Sequence, residues 1–192
     1  MEDHSKTDAA KAADVILTAA LSRAIDFVKF AETKNAALLA FGSAWTLGIT
    51  TILNTQTQIL TQGTVTSMAV ARALFVIAIL MTTWSFLPKL RTENFERKVR
   101  ARNLLFFKHV AELKPSAVKD AIATRYVSGG AVTNDYLDDL ACQVAINSAI
   151  ASKKFRIFEL AAISVMLGIV VLALPALGSG LHELLTLIAP KL

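Results

Sequence analysis

A run of basic residues at positions 89–102 is the part of the sequence best suited to bind an anion. It holds six Lys or Arg against two Glu. Arginine binds phosphate through paired hydrogen bonds, so four residues are candidate phosphate donors: Arg91, Arg97, Arg100 and Arg102. Because an apolar stretch directly precedes the run, these side chains could instead form a solvated or lipid-headgroup face and retain a span end in the cytoplasm.

No set of catalytic or metal-binding residues accompanies this run. Asp135, Asp138 and Asp139 cluster at the start of a predicted helix, where carboxylates complement the helix dipole, and no base is spaced to work with them. The three histidines are far apart in sequence, and Cys142 is the only cysteine. Walker, GxSxG and HExxH motifs are missing. We therefore expect a protein that is not an enzyme and that binds no cofactor and no metal.

The apolar residues stand in blocks rather than at amphipathic spacing. They make up 54% of the 192 residues, and a block of about 20 apolar residues is long enough to cross the ~30 Å hydrocarbon core. This pattern predicts an all-α integral membrane protein with about three transmembrane helices and a helical cytosolic segment. In such a protein, the net charge of +5 is explained by basic residues that set the membrane orientation and attract anionic lipid. No nucleic acid polymer is therefore expected as a partner.

This fold predicts four parts along the chain. Residues 1–35 form a cytosolic amphipathic helix that continues into the first span without a Gly or Pro break. Residues 36–88 form a two-span transmembrane hairpin, and residues 89–156 form a helical cytosolic sensor segment. Residues 157–192 form the third transmembrane helix and a short tail.

Capping and breaking residues predict the helices of the sensor segment. Thr92 can cap a helix that continues to Leu113, and a second helix begins at Ser116 and ends at Tyr126.

After a turn at residues 128–130, Thr133 can cap a third helix that continues unbroken into the third span. The glycines at positions 178 and 180 are expected to end that span.

The distribution of Lys and Arg predicts the orientation. Five stand in the N-terminal segment to residue 34, none in the turn at residues 54–67, thirteen at residues 89–156 and one after residue 177. Three crossings with the N-terminus in the cytoplasm and the C-terminus outside satisfy the positive-inside rule at every loop. Residues 89–156 are too few to build a large core alone, so lateral assembly into a homo-oligomer is expected.

Four short motifs occur in a recognisable order. KNAALLAF stands at residues 34–41, FLPKL at 86–90, NLLFF at 103–107 and AIASKKF at 149–155. In these motifs and the three-span layout, the sequence resembles the transmembrane effectors of Pycsar, the bacterial pyrimidine-cyclase antiphage systems.

The resemblance implies a multi-pass protein of the bacterial inner membrane whose partners are the lipid bilayer and a nucleotide made by a partner cyclase. The ligand implied is a cyclic pyrimidine mononucleotide, cyclic CMP or cyclic UMP. Binding would lead the protein to impair inner-membrane integrity, so that growth stops or the cell dies before phage are released.

A pocket for such a nucleotide needs cationic donors, a flat face for the base and amides for the base edge. The four arginines supply the first, Phe106 and Phe107 the second, and Asn103 and Asn147 the third. Each Asn interrupts an apolar stripe, and the two amides would meet if their helices pack together. The asparagines could instead form a buried interhelical hydrogen bond that sets register, and the phenylalanines could belong to the core.

Two other functions fit the same residues. A membrane scaffold or anchor would dock a protein partner through its cytosolic helices and bind no small molecule. A membrane effector of a related defence system would be gated by a cyclic oligonucleotide, whose additional phosphates need a denser set of basic residues. The thirteen basic residues of the sensor segment do not decide between these ligands.

Overall fold

Three long helices account for most of the chain in the computed structural model, which describes residues 2–87, 103–128 and 131–188. Helix α1 is Glu2–Thr55, and a 3₁₀ turn at Thr57–Ile59 leads to α2, Gln62–Phe86. Two short helices follow, α3 at Phe107–Ala111 and α4 at Pro115–Tyr126. Strands β1 (Val127–Ser128) and β2 (Ala131–Val132) pair antiparallel before α5, Asn134–Ile188.

Local sequence explains where these helices begin and end. The Thr61 hydroxyl accepts a hydrogen bond from the Thr64 amide at the start of α2, and Leu87 caps its other end, where Pro88 follows. Pro115 occupies the first turn of α4, where its missing N–H costs nothing. Thr133 accepts from the Tyr136 amide at the start of α5, as predicted.

The predicted all-α membrane fold is confirmed. Within the described part of the chain, three helical segments are long and apolar enough to cross a membrane: Asp8–Thr55, Gln62–Phe86 and Asn134–Gly180. The first and third include the predicted amphipathic stretches, so each long helix continues from a charged segment into a span without interruption.

The chain divides into two compact units. The polar unit comprises Met1–Phe30 with Pro88–Lys153, and the membrane unit comprises Ala31–Leu87 with Lys154–Leu192. The side of the membrane on which the four predicted parts lie stays a prediction.

The membrane unit has a small apolar core surrounded by outward-facing apolar side chains. Phe75 is fully buried in it beside Ile49, Ala161 and Val165. Leu80 and Met166 are 64% and 65% exposed, which is expected where lipid rather than water covers the helices. The Ser164 hydroxyl crosses the core and donates to the Leu74 carbonyl of α2 at 2.8 Å.

The predicted helix from Thr92 to Leu113 is wrong over residues 103–106, and its part at residues 92–102 lies outside the described residues. The side-chain oxygen of Asn103 accepts a hydrogen bond from the Leu105 amide at 2.8 Å, and the backbone carbonyl of Asn103 accepts one from the Phe106 amide. Such local bonds from an Asn side chain compete with helical ones. The chain therefore turns here, and α3 begins only at Phe107.

The third apolar segment ends at Gly180, as expected, but the glycines do not end the helix, because α5 continues to Ile188. A glycine costs about 1 kcal/mol in a helix interior, which neighbouring helix formers can offset. The helix likewise continues through Pro175. Of the predicted turn at residues 128–130, Ser128 belongs to β1, and residues 129–130 lie outside the described part.

Gly168 is a position at which α5 approaches α2 closely. A Cβ added there would lie 3.2 Å from Cζ of Phe75 and 3.4 Å from the Ala71 carbonyl oxygen. We expect Gly168→Leu to destabilise the membrane unit by about 1–3 kcal/mol through overpacking, measured as a lower unfolding temperature in detergent. Gly180→Leu is the matched control, because nothing in the described part of the chain lies within 4 Å of that added Cβ. Equal effects of the two changes would contradict the packing described.

Candidate functional site

The carboxylate of Asp139 is the centre of a hydrogen-bonded cluster in the polar unit. Asp139 lies on α5 and is 2% exposed. Its Oδ2 accepts from the Tyr126 hydroxyl at 2.6 Å and from Nε and Nη2 of Arg125 at 3.2 and 3.0 Å. A buried carboxylate is costly unless it is paired and hydrogen-bonded, and these donors meet that requirement for Asp139.

The same cluster fixes the turn that begins at Asn103. The side-chain amide of Asn103 donates to the backbone carbonyl of Asp139 at 3.1 Å, and the backbone amide of Leu104 donates to the Tyr126 hydroxyl oxygen at 2.8 Å. The Asp139 cluster (Asn103, Arg125, Tyr126 and Asp139) therefore joins three segments of the polar unit: the turn, the end of α4 and the start of α5.

The environment of Tyr126 changes its acidity. Burial disfavours the phenolate, and the hydrogen bond to the Asp139 carboxylate disfavours it further, which together raise the pKa of Tyr126 to about 12. The hydroxyl therefore stays protonated and donates to Asp139 throughout the physiological range of pH.

Aromatic rings stand beside the Asp139 cluster. The ring of Phe106 lies 4.9 Å from that of Phe107 and 5.5 Å, edge-on, from the imidazole of His109. His109 Nδ1 is 3.1 Å from the Asn103 carbonyl, so donation there leaves Nε2 as an acceptor. Phe106 is half-buried, whereas Phe107 is 65% exposed and presents a flat apolar face to the surroundings.

The structure brings some predicted site residues together and separates another. Asn103, Phe106 and Phe107 share the turn and the first residue of α3. The Asn147 amide donates to the Gln143 carbonyl of its own helix, about two turns beyond Asp139, whereas the Asn103 amide binds Asp139. The hydrogen bonds thus do not pair the two asparagines with each other. The four candidate arginines at 91, 97, 100 and 102 lie outside the described residues.

Sequence reasoning missed Arg125, Tyr126 and His109, and it assigned Asp139 only a role in the helix dipole. A signal for Asp139 was present. It shares a helix face with Leu140, Gln143 and Ile146, all of them buried. A charged side chain is almost never fully buried unless it is paired. A carboxylate within a buried stripe therefore predicts an internal ion pair, just as an asparagine there predicts a buried hydrogen bond.

The described residues offer no metal site, and their cavity is apolar. Among the residues that the structure describes, no three His, Cys, Asp or Glu side chains are grouped so that they could hold a metal ion. The membrane unit has an apolar cavity of about 1080 Å³ lined by residues such as Trp45, Ile49, Met68 and Pro175. None of the described residues that line this cavity is charged, so it is unsuited to a phosphorylated ligand.

The Asp139 cluster makes a stability prediction. Tyr126→Phe leaves the Leu104 amide without its acceptor and Asp139 without one donor, so we expect it to lower the free energy of unfolding by ~2–3 kcal/mol. Thr124→Val, which removes an exposed hydroxyl from the same helix, should change it by less than ~0.5 kcal/mol.

The effect of Tyr126→Phe has a defined pH dependence. A folded-state pKa above the ordinary value of 10.0 stabilises the protonated form, so the contribution is complete below about pH 10 and is lost as pH rises through about 12. Thermal unfolding of both proteins in detergent across this range should show the difference narrowing above about pH 10. A difference that stays constant there would contradict the assigned role of the hydroxyl.

Comparison with known proteins identifies relatives over most of the chain. The family described as Pycsar effector protein domain matches residues 16–179. Pycsar effector protein RsPycTM, from a Rhizobium species, is 35% identical over 156 residues, which cover 80% of this chain and 89% of that protein. No solved structure matches. The family match includes the second span, most of the first and third, and the Asp139 cluster, and the chain belongs to the Pycsar effector family.

Proposed function

We propose that this antiphage membrane effector senses a cyclic pyrimidine mononucleotide, cyclic CMP or cyclic UMP, and then impairs the inner membrane so that growth stops. The observation that carries the proposal is family membership over residues 16–179, in a chain that combines a polar unit with three helices long enough to cross a membrane. The family supports an effector rather than an enzyme, and the nucleotide would act as a signal that is bound and not converted.

The proposed binding surface adjoins the Asp139 cluster. A cyclic mononucleotide presents one phosphate charge and one base, so it needs a few cationic donors and a flat face. Phe107 supplies an exposed ring, and Nε2 of His109 could accept from an exocyclic amine or an imide N–H of the base. The arginines at 91, 97, 100 and 102 precede Asn103 in the chain and are the proposed phosphate donors. Asn147 is the least supported of the proposed contacts.

The helices suggest how binding could reach the spans. Helix α5 is a single helix from Asn134 to Ile188, so no flexible linker separates Asp139 from the third span. A ligand shifts such an equilibrium only by its preference for one state, and a preference of about 3 kcal/mol changes the ratio of states by roughly a hundredfold. Nucleotide bound beside the Asp139 cluster would act by favouring the polar-unit conformation that belongs to the active state.

The proposal includes assembly into a homo-oligomer. Val15 and Ile16 of the polar unit are 69% and 65% exposed. Such apolar exposure outside a membrane is typical of a surface that another protein covers. A second copy is the simplest occupant because a leak through the bilayer would need more span helices than one chain supplies.

Ligand binding is tested first on detergent-solubilised protein with cyclic CMP, cyclic UMP, cyclic AMP, cyclic GMP and a cyclic dinucleotide. At ~100 times its dissociation constant, a bound nucleotide should stabilise the protein by ~2.7 kcal/mol, seen as a higher unfolding temperature. We expect a shift with one cyclic pyrimidine alone. A shift with the dinucleotide would favour an oligonucleotide-gated effector, and no shift with any would favour a scaffold.

Single substitutions then test the proposed nucleotide-binding surface beside the Asp139 cluster. Phe107→Ala, Arg100→Gln and Arg102→Gln should each weaken binding of the active nucleotide about tenfold or more, because a stacked base or a phosphate contact is worth ~1–3 kcal/mol. Lys119→Gln, which changes an exposed cation on α4, is the control. Retained affinity in all three variants would reject this surface while leaving nucleotide sensing intact.

The proposed orientation places the N-terminus in the cytoplasm and the C-terminus outside, because basic residues concentrate in the segments assigned to the cytoplasm. A C-terminal alkaline phosphatase fusion should be active and a C-terminal fluorescent-protein fusion dark, whereas an N-terminal fluorescent-protein fusion should fluoresce. Fluorescence of both fusions would indicate an even number of crossings and contradict the three-span topology.

A further inference from the structure

Lys154 stands where α5 enters the membrane unit, and its side chain is nearly enclosed. The side chain is 14% exposed, and Nζ donates to the Ser85 carbonyl of α2 at 2.9 Å. Nζ also lies 3.0 Å from Oε1 of Glu32 on α1, and the ring of Phe86 is 5.9 Å away. One ammonium group thus contacts both other span helices.

The backbone of Lys154 makes a further connection. Asn35 of α1 is fully buried, and its Nδ2 donates to the Ala31 carbonyl at 2.8 Å and to the Lys154 carbonyl at 3.4 Å. The Lys154 cluster (Glu32, Asn35, Ser85 and Lys154) therefore ties α1, α2 and α5 together at the end of the spans that adjoins the charged segments. All four residues belong to the membrane unit.

This connection is incomplete in its hydrogen bonding. Asn35 is 0% and Ser85 5% exposed, yet within the described residues neither Asn35 Oδ1 nor Ser85 Oγ has a hydrogen-bond partner. A buried polar atom without a partner raises the free energy of the state that buries it. Water would satisfy both oxygens if the helix ends separated. The contacts of Lys154 therefore stabilise the packed arrangement of the helix ends. The two oxygens without partners oppose it, because water could bind them only in an open arrangement.

The charge of Lys154 distinguishes it from its neighbours. Lys153 and Arg156 flank it on the same helix and are exposed, as expected for cations that mark the end of a span. Lys154 instead turns its ammonium into the helix junction, where it gives up water for one carbonyl and one carboxylate. Ionisable residues within the spans of membrane proteins pair with one another or with backbone carbonyls, as Lys154 does, and such a pairing marks a candidate functional site.

We propose that Lys154 is a releasable lock that holds the three spans together in the resting state, and that breaking its contacts with Ser85 and Glu32 admits water between them. This inference rests on the proposed function for its biological meaning, because the open state would be the one that impairs the membrane. The lock itself is a statement about the membrane unit and can be tested without any nucleotide.

Thiol accessibility at position 85 tests the lock directly. Ser85→Cys is introduced into a Cys142→Ala background, so that one thiol remains, and the protein in liposomes is treated with a charged maleimide. Because Ser85 is 5% exposed and its hydroxyl lacks a partner among the described residues, the thiol should fit and react slowly. Adding Lys154→Met should raise the labelling rate at least about tenfold, since losing a charge-assisted hydrogen bond shifts an opening equilibrium by that much.

Two controls separate opening from loss of fold. Arg156→Met removes an exposed cation from the same helix and should leave the rate unchanged within about twofold. A thiol introduced by Ser164→Cys reports on the centre of the membrane unit, where Ser164 is 9% exposed, and should stay protected in the Lys154→Met protein. Glu32→Gln should raise labelling at position 85 less than Lys154→Met does, because Glu32 is 46% exposed.

Unchanged labelling at position 85 in the Lys154→Met protein would overturn the lock, and so would equal increases at positions 85 and 164, which would make Lys154 a general stabiliser. Dye leakage from the same liposomes separates this failure from failure of the proposed function. If liposomes with the unsubstituted protein leak dye only when nucleotide is added, and those with Lys154→Met leak without it, both the proposed function and the lock are supported. If the unsubstituted protein leaks with no nucleotide of the panel, membrane impairment by ligand is rejected, and the labelling result still decides the lock.

Discussion

A buried carboxylate must find donors within the protein, and Asp139 imposes that requirement on the polar unit. Its donors, Arg125 and Tyr126, are consecutive residues at the end of α4, so that end must lie against the start of α5. The hydroxyl oxygen of Tyr126 then receives the Leu104 amide, and the Asp139 carbonyl receives the Asn103 side chain. The turn that presents Phe106 and Phe107 is therefore positioned by a charge on another helix.

The two long helices α1 and α5 each belong partly to the polar unit and partly to the membrane unit, so their side chains have different surroundings along their lengths. In the membrane unit, large apolar side chains face outward, and the polar groups of Ser164 and the threonines bond to backbone carbonyls. In the polar unit, Val15 and Ile16 are exposed to a similar degree. The proposed assembly would cover these two side chains in an interface between copies of the chain.

The sequence was sufficient for features that depend on composition and local chemistry. Apolar blocks predicted the three spans, Thr133 predicted the start of α5, and the lack of a break predicted the continuity of both long helices. It was insufficient where a tertiary partner decides the outcome. Asn103 lies on an apolar stripe that reads as helix, but its bonds to Leu105 and Asp139 make a turn instead. Likewise, Lys154 is one of several basic residues before a span, and only packing shows that it is enclosed.

The two enclosed charges on α5 differ in how completely their surroundings are satisfied. Around Asp139, the Tyr126 hydroxyl both donates and accepts, and both side-chain groups of Asn103 are bonded. Around Lys154, Asn35 and Ser85 each keep one oxygen without a partner in the described part of the chain. Breaking the first cluster would strand several buried polar groups. Opening the second would break the contacts of Lys154, but it would let water reach two oxygens that lack partners. Allosteric coupling is typically ~1–3 kcal/mol, so the proposed nucleotide would shift the second cluster more readily than it would dismantle the first. In the proposed mechanism, the Asp139 cluster would therefore stay fixed and the Lys154 cluster would open.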